Sequence, residues 1–166
     1  VLAVENPAVV RRLVVSGATP GGPEEIPPPD STIAILTNPD STPEELLALL
    51  FPDTPAGQAA MVAYAANLAL TRPMPVPPVT LQRQGQAQFA FSQDTTVVNR
   101  LVSLGERLLI TAGGLDVVVP PGNAELIATA NPSARKAIFQ EAGHAMLFQD
   151  HSSFIPLSHG FLSQLP

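Results

Sequence analysis

Three side chains in this sequence ordinarily exchange protons near neutral pH, His144, His151 and His159, and there is no cysteine. Thiolate chemistry and a disulfide framework are therefore excluded, and any acid–base or nucleophilic work falls to histidine, carboxylates and hydroxyls. His144 has the most informative surroundings, in "EAGHAMLFQD" over 141–150, between a glycine and an alanine where one apolar run ends and another begins. Asp116 stands in a comparable place, after the glycine turn of "LLITAGGLD". A carboxylate bonded to one imidazole nitrogen fixes the tautomer and stabilises the imidazolium, leaving the other nitrogen to take a proton from a nucleophile. Asp116 and His144 together form the orienting half of such a relay. His151, next to Asp150, reads as a solvated residue near a helix start, and His159 lies on a final helix with polar neighbours. Neither has metal-ligand spacing, so neither a metal nor a cofactor is expected.

The elements that must position this pair are legible from turn residues and periodicity. Prolines crowd "TPGGPEEIPPPD" at 19–30 and "RPMPVPPV" at 72–79, and no helix or strand can run through either stretch. Before the first stretch, Leu13 to Ser16 form a short apolar run rich in β-branched residues, read as a strand buried on both faces. Between the two, Thr42-Pro43-Glu44-Glu45 opens a helix with Thr42 as cap and Glu45 reaching back, and Thr54-Pro55 opens another. The second continues as "AGQAAMVAYAANLAL", apolar on most sides, so it is expected to pack between other elements. "TLQRQGQAQFAF" and "TTVVNRLVSL" suggest two further helices, making 40–104 mostly helical.

The last third alternates: a strand at about 107–112, a helix at "NAELIATA", a strand ending near Gln140 and a final helix at "FIPLSHGFLSQL". Such β-α-β-α order implies parallel strands with helices over the sheet. In the last helix Phe154, Leu157, Phe161 and Leu165 recur at helical spacing, with Pro156 tolerated in the first turn. Parallel strands all end on one edge, which brings Asp116 and His144 to neighbouring strand ends.

Composition removes several function classes. With 166 residues, 45% of them hydrophobic, the chain is one domain with a real core. Lys and Arg total 8 against 14 Asp and Glu, a net charge of −6 without a basic cluster, so nucleic acid is not an expected partner. No apolar run approaches the roughly 18 residues of a membrane span, and the first residues lack a leader's basic start and apolar core, so no membrane association is expected. The compartment is left open, with the cytoplasm favoured. The chain begins at Val1 rather than Met, which suggests a piece of something longer.

The stretch "LLITAGGLDVVVPPGNAELIATANPSARKAIFQEAGHAMLFQD" resembles the last two strands of the α/β-hydrolase fold family. The matching features are Gly113 to Asp116 trailed by Val119-Pro120, and the Gly143-His144 pair after the last strand. "NPAVVRRLVVSGATPGG" resembles the strand before the cap, and 40–95 a helical cap inserted after it. The resemblance implies a partial α/β-hydrolase fold: 1–22 as core, 23–104 as helical cap, and 105–166 as core carrying the catalytic acid Asp116 and histidine His144. It also implies esterase-like, serine-type hydrolysis of a carboxylic ester or similar acyl bond by a catalytic triad. The nucleophile of that family sits in a G-x-S-x-G elbow preceding these segments, and no such elbow occurs here. "VVSGATPGG" is the nearest imitation, but Pro20, Gly21, Gly22 and Pro23 forbid the helix that must follow the serine. The nucleophile and the oxyanion donors are thus assigned to a missing amino-terminal half.

Other residues have competing readings. Glu24, Glu25 and Asp30 lie in the loop after the first strand, where some members of the family carry their acid instead. Phe89 and Phe91 read as core or cap packing ahead of a substrate wall. Met61, Tyr64 and Leu68 suit either an acyl pocket or plain helix packing. The class alternative to a hydrolase part is a truncated, non-catalytic module. Finally, the strand holding Leu13, Val14 and Val15 lacks an expected neighbour and any internal Lys or Pro, so the 166 residues taken by themselves are expected to self-associate through 12–17 or to precipitate.

Overall fold

The computed structural model describes residues 2–6, 8–71 and 76–164 of the chain. Its sheet has three strands, β1 (Leu13–Ser16), β2 (Leu108–Gly113) and β3 (Arg135–Phe139), parallel and in sequential order. Leu13 pairs with Leu108 and Ser16 with Thr111, while Leu109 pairs with Arg135 and Gly113 with Phe139. A short helix α1 (Leu2–Glu5) precedes β1. Between β1 and β2 run α2 (Asp30–Thr37), α3 (Pro43–Leu50), α4 (Pro55–Ala69), α5 (Pro78–Ser92) and α6 (Val97–Leu101), followed by a 3-10 segment at Val102–Arg107. Then α7 (Gly122–Ala130) joins β2 to β3, and α8 (Met146–Gln149) and α9 (His151–Leu162) close the chain.

The strand alternation sorts the core into two layers. Leu108, Ile110 and Ala112 point to one face, with Leu13, Val15 and Ile138 beside them, and pack on Ala124 and Ile127 of α7 together with Leu101, Leu104 and Ala3. On the other face Phe139 and Ala137 meet Ala142, Met146 and Phe154. β2 is therefore the strand buried on both sides, Leu108 to Ala112 being at most 3% exposed. β1, expected to be buried likewise, has all four residues only half-buried, because it lies at the sheet's edge.

Several local expectations hold for stated reasons. Thr42 accepts from Glu45 N while the Glu45 carboxylate accepts from Thr42 N at 2.8 Å, a complete capping box. Thr54 caps α4 by accepting from Gly57 N at 3.0 Å. Two buried asparagines pin irregular backbone: Asn123 accepts from Ile26 N and donates to Ile26 O, and Asn131 donates to Leu101 O. The proline-rich loop is thereby fastened to α7.

Other expectations fail. α4 does not pack between elements: Gly57 is its one buried residue, Tyr64 wedges between Phe51 and Phe148, and most of the helix is exposed. Its many alanines bury too little area per residue to force enclosure. Phe89 is 68% exposed, against the core reading, whereas Phe91 packs where a Cβ on Gly21 would stand. α9 starts at His151, three residues before the expected start, so Pro156 lies inside the helix rather than in its first turn. The turn it interrupts is exposed, so the Ser152 carbonyl that Pro156 leaves without an amide donor is open to solvent. Phe161 is the buried residue of α9, with Phe154 and Ser158 half-buried on the same side, Leu157 is 36% exposed, and Leu165 lies outside the described residues. So do 72–75 of the second proline stretch, while Pro78 and Val79 open α5. α1, α2 and α8 carry no strong sequence signal. Among the described residues no helix is long and apolar enough to cross a membrane.

Asp94 accepts from Thr96 Oγ1 (2.6 Å), Thr96 N (2.8 Å) and Arg100, which also reaches Glu5. The Thr96 hydroxyl, then its amide, hold the Asp94 carboxyl below its ordinary 3.8. A depressed folded-state pKa stabilises the fold above that ordinary value, and the contribution fades as pH falls below it.

The two sheet edges differ. β3 carries Arg135 and Lys136, the latter paired with Glu125. β1 carries Leu-Val-Val-Ser, and among the described residues its one strand neighbour is β2. Gly17 N donates to Thr111 O, so by alternation the backbone groups of Ser16 and Val14 face away from the sheet. We propose that this edge pairs with the same edge of a second copy. Light scattering of the 166-residue chain is expected to show association that Val14→Lys abolishes, and a monomer for the unmodified chain at high concentration would refute it.

Candidate active site

The loops that leave β2 and β3 lie against each other with no room for side chains at the contact. A Cβ on Gly113 would stand 2.5 Å from Ala142 O and closer still to Gly143 O, and one on Gly114 would stand 2.6 Å from Gln140 O. Neither glycine has a positive φ, so the requirement is steric rather than conformational. The space they release is spanned by Gly114 N donating to Phe139 O at 2.8 Å and Leu115 N to Ala142 O at 2.9 Å. Asp116 follows two residues later.

The carboxylate of Asp116 is fully buried and fully used. Oδ1 accepts from the amides of Val118 and Val119, both at 2.8 Å, which curls the turn around it. Oδ2 lies 2.8 Å from Nδ1 of His144. The His144 side chain is 30% exposed, and among the described residues Nε2 has no hydrogen-bond partner. A neutral ring donating from Nδ1 to Asp116 presents Nε2 as the free acceptor.

Further residues hold the histidine in place. Gly17, the first residue after β1, lies under the ring: a Cβ there would be 3.2 Å from Cε1 and 3.3 Å from Nδ1. Its φ of +52 is one that side-chain-bearing residues rarely adopt. On the other flank Ala145 N donates to Leu50 O at 2.9 Å, and a Cβ on Gly143 would sit 2.6 Å from that same carbonyl, so the end of α3 docks on the histidine loop. The Gln149 side chain clips the loop shut, donating to Glu141 O and accepting from Gly143 N. Ser16 and Thr111 pair their hydroxyls at 2.7 Å on the strands just before.

Beside Asp116 a groove of about 480 Å³ runs between loop 114–117 and the end of α3, walled by Leu49, Phe51, Pro52, Leu115 and Val117, with Asp53 and Thr54 at one side. The structure thus brings together Asp116 and His144. It leaves His151 and His159 exposed on α9, and Glu24 and Asp30 exposed. Met61 lines a smaller adjoining cavity of about 250 Å³, Tyr64 lines a separate groove against α8 and α9, and Leu68 is 37% exposed. The positioning residues Gly17, Leu50 and Gln149 escape sequence reading, since each acts through a contact between distant segments. The one available signal was a glycine directly after a strand.

No family model and no curated protein matches the chain. Solved structures do. An alpha/beta hydrolase fold protein from Chitinophaga pinensis matches with a TM-score of 0.79 and 18% identity over 99% of this chain and 60% of its own. An alpha/beta fold family hydrolase from Bacillus anthracis matches at 0.65 and 16% over 96% and 61%, and a 2-hydroxy-6-oxo-6-phenylhexa-2,4-dienoate hydrolase from Rhodococcus at 0.61 and 18% over 98% and 59%. The fold is that of the α/β hydrolases, with three of the strands and the flanking helices present. The chain spans about 60% of the length of the solved structures it resembles.

The glycine contacts are testable in pairs. Gly113→Ala forces backbone apart in a packed region and is expected to cost about 1–3 kcal/mol. Gly85→Ala, in exposed α5 with nothing within 4 Å of the new methyl, is expected to be neutral or to stabilise by up to about 1 kcal/mol. Urea denaturation of both variants measures the contrast, and equal effects would mean that the loop contact is not the constraint.

Proposed function

We infer that this chain supplies the acid and the histidine of a serine-type hydrolase acting on a carboxylic ester or similar acyl bond. The observation that carries the reading is the Asp116 Oδ2 to His144 Nδ1 contact of 2.8 Å with Nε2 unengaged. In this reading a serine hydroxyl attacks the acyl carbon, and His144 Nε2 accepts its proton and returns it to the departing alkoxide. A water then repeats the sequence on the acyl-enzyme. Asp116 does not take the proton; it keeps the ring oriented and offsets the imidazolium charge. The serine and the backbone donors for the oxyanion come from a segment other than the one described, presented by a G-x-S-x-G turn. Residues 23–104 act as the cap over the acyl group.

Ser16 is not that nucleophile in this reading. Its hydroxyl is engaged by Thr111, and the Pro20-Gly21-Gly22-Pro23 stretch after it cannot form the helix that polarises such a serine.

Two measurements test the proposal. The 166-residue chain alone is expected neither to hydrolyse p-nitrophenyl butyrate above background nor to be labelled by a fluorophosphonate, and stoichiometric labelling of Ser16 would overturn the assignment. When the chain is joined to a segment carrying the serine turn, Asp116→Asn and His144→Ala are each expected to lower kcat by about 10³–10⁴-fold with KM little changed. Undiminished turnover in either variant would remove that residue from the chemistry.

A further inference from the structure

The cations of this protein gather at the amino ends of the strands, where Glu5, Glu106 and Glu125 accompany them. Arg11 and Arg12 precede β1, Arg107 precedes β2, and Arg135 and Lys136 open β3, so five of the cations lie at the amino ends of the strands. The carboxyl ends carry the opposite sign: Glu24 and Glu25 follow β1, Asp116 follows β2, Glu141 and Asp150 follow β3, and Asp53 borders the groove beside Asp116. Among the described residues, no Lys or Arg lines the groove of about 480 Å³ or its neighbour of about 250 Å³.

Nor do the described cations reach toward that edge. Arg12 donates to the Glu106 and Gln164 carbonyls and stacks on Phe161 at 5.1 Å, and Arg107 donates to the Val10 and Ser103 carbonyls. Arg135 stacks on the same Phe161 ring at 5.7 Å, Lys136 is paired with Glu125, and Arg100 with Asp94 and Glu5. Arg83 is exposed on α5, no residue of which lines either groove.

We propose that the site takes acyl compounds that are neutral or carry a cationic group, and excludes those with a carboxylate or phosphate on the part that enters the groove. The apolar walls Leu49, Phe51, Pro52, Leu115 and Val117 receive an uncharged acyl body. An anionic group there meets the Asp53 carboxylate, with that of Asp116 buried close behind the wall, and among the described lining residues no Lys or Arg to replace its lost hydration. This assignment rests on the hydrolase reading of Asp116 and His144. It also separates the chain from a dienoate hydrolase, whose substrate by its name is an anion.

The test uses three stable amides with the same butyryl group: N-propylbutyramide, a trimethylammonium-propyl butyramide and 4-(butyrylamino)butanoate. Each is titrated into isotopically labelled protein while the His144 ring and Gly17 amide signals are followed by NMR. A carboxylate across about 8 Å of water changes affinity by about twofold per unit of ligand charge. The cationic amide is therefore expected to bind about tenfold more tightly than the anionic one at 10 mM salt, with the neutral amide between them. The ratio should fall toward unity at 150 mM salt, where the screening length drops from about 30 Å to about 8 Å. Asp53→Lys is expected to reduce the ratio several-fold. Anionic binding as tight as cationic at low salt, with the His144 signal shifting for both, would overturn the charge selection and leave the hydrolase reading standing. Three ligands that all leave His144 and Gly17 unmoved would overturn both.

Discussion

The rest of the structure depends on how closely the backbones leaving β2 and β3 approach one another. Gly113 and Gly114 lie against the carbonyls of 140 to 143, and two amide–carbonyl hydrogen bonds lace the loops together. That contact sets the separation of Asp116 and His144, because each side chain is held one or two residues beyond it. The pair is short in space although 28 residues apart in sequence, and its geometry needs no adjustment of long side chains. A burial as complete as that of the Asp116 carboxylate is tolerable only with its acceptors filled, and two valine amides and the imidazole fill them.

The sheet explains why so much of the chemistry collects on one side. Parallel strands start at one edge and end at the other, so every residue just before a strand is sorted away from every residue just after one. The arginines before the strands and the acids that follow them are separated by the length of the strands as a matter of topology. The same rule delivers Gly17, Asp116 and His144 to a common edge, one from each strand end. The helical segment between β1 and β2 touches this edge through the end of α3, where Leu50 O accepts from Ala145 N, through Tyr64 of α4 on Phe148 and through Phe91 of α5 on Gly21.

An 18% identity with a TM-score of 0.79 shows how loosely such a framework constrains its residues. In this chain the framework consists of a doubly buried central strand, small residues where the loops cross, and apolar side chains facing the sheet. Within α2 to α6 the constraint is weaker still: α5 has no buried residue and α4 has one. Exposed helices like these keep their local caps, as the Thr42 and Thr54 hydrogen bonds show, yet give little packing information.

The local elements were legible from the sequence wherever a strong short-range signal exists. A β-branched run marked β1, the Thr-Pro pairs marked α3 and α4, and the β-α-β order of the last third implied the parallel sheet. Asp116 and His144 were legible as a pair because strand-end position follows from that order, without knowledge of distances. The burial of α4 and Phe89 was misjudged because apolar composition states a capacity for burial, while actual enclosure depends on a partner surface. The start of α9 was missed because Pro156 was placed in the first turn of the helix, although an exposed turn further along accommodates it. Gly17 beneath the imidazole, Leu50 and Gln149 gripping the histidine loop, and the sequestration of the arginines by distant carbonyls were decided only by the tertiary structure. The sequence by itself determined which elements form and at which edge the acid and histidine emerge; the packing of segments far apart in the chain decided their separation, their support and the charge around them, since contacts across tens of residues leave no periodic trace along the chain.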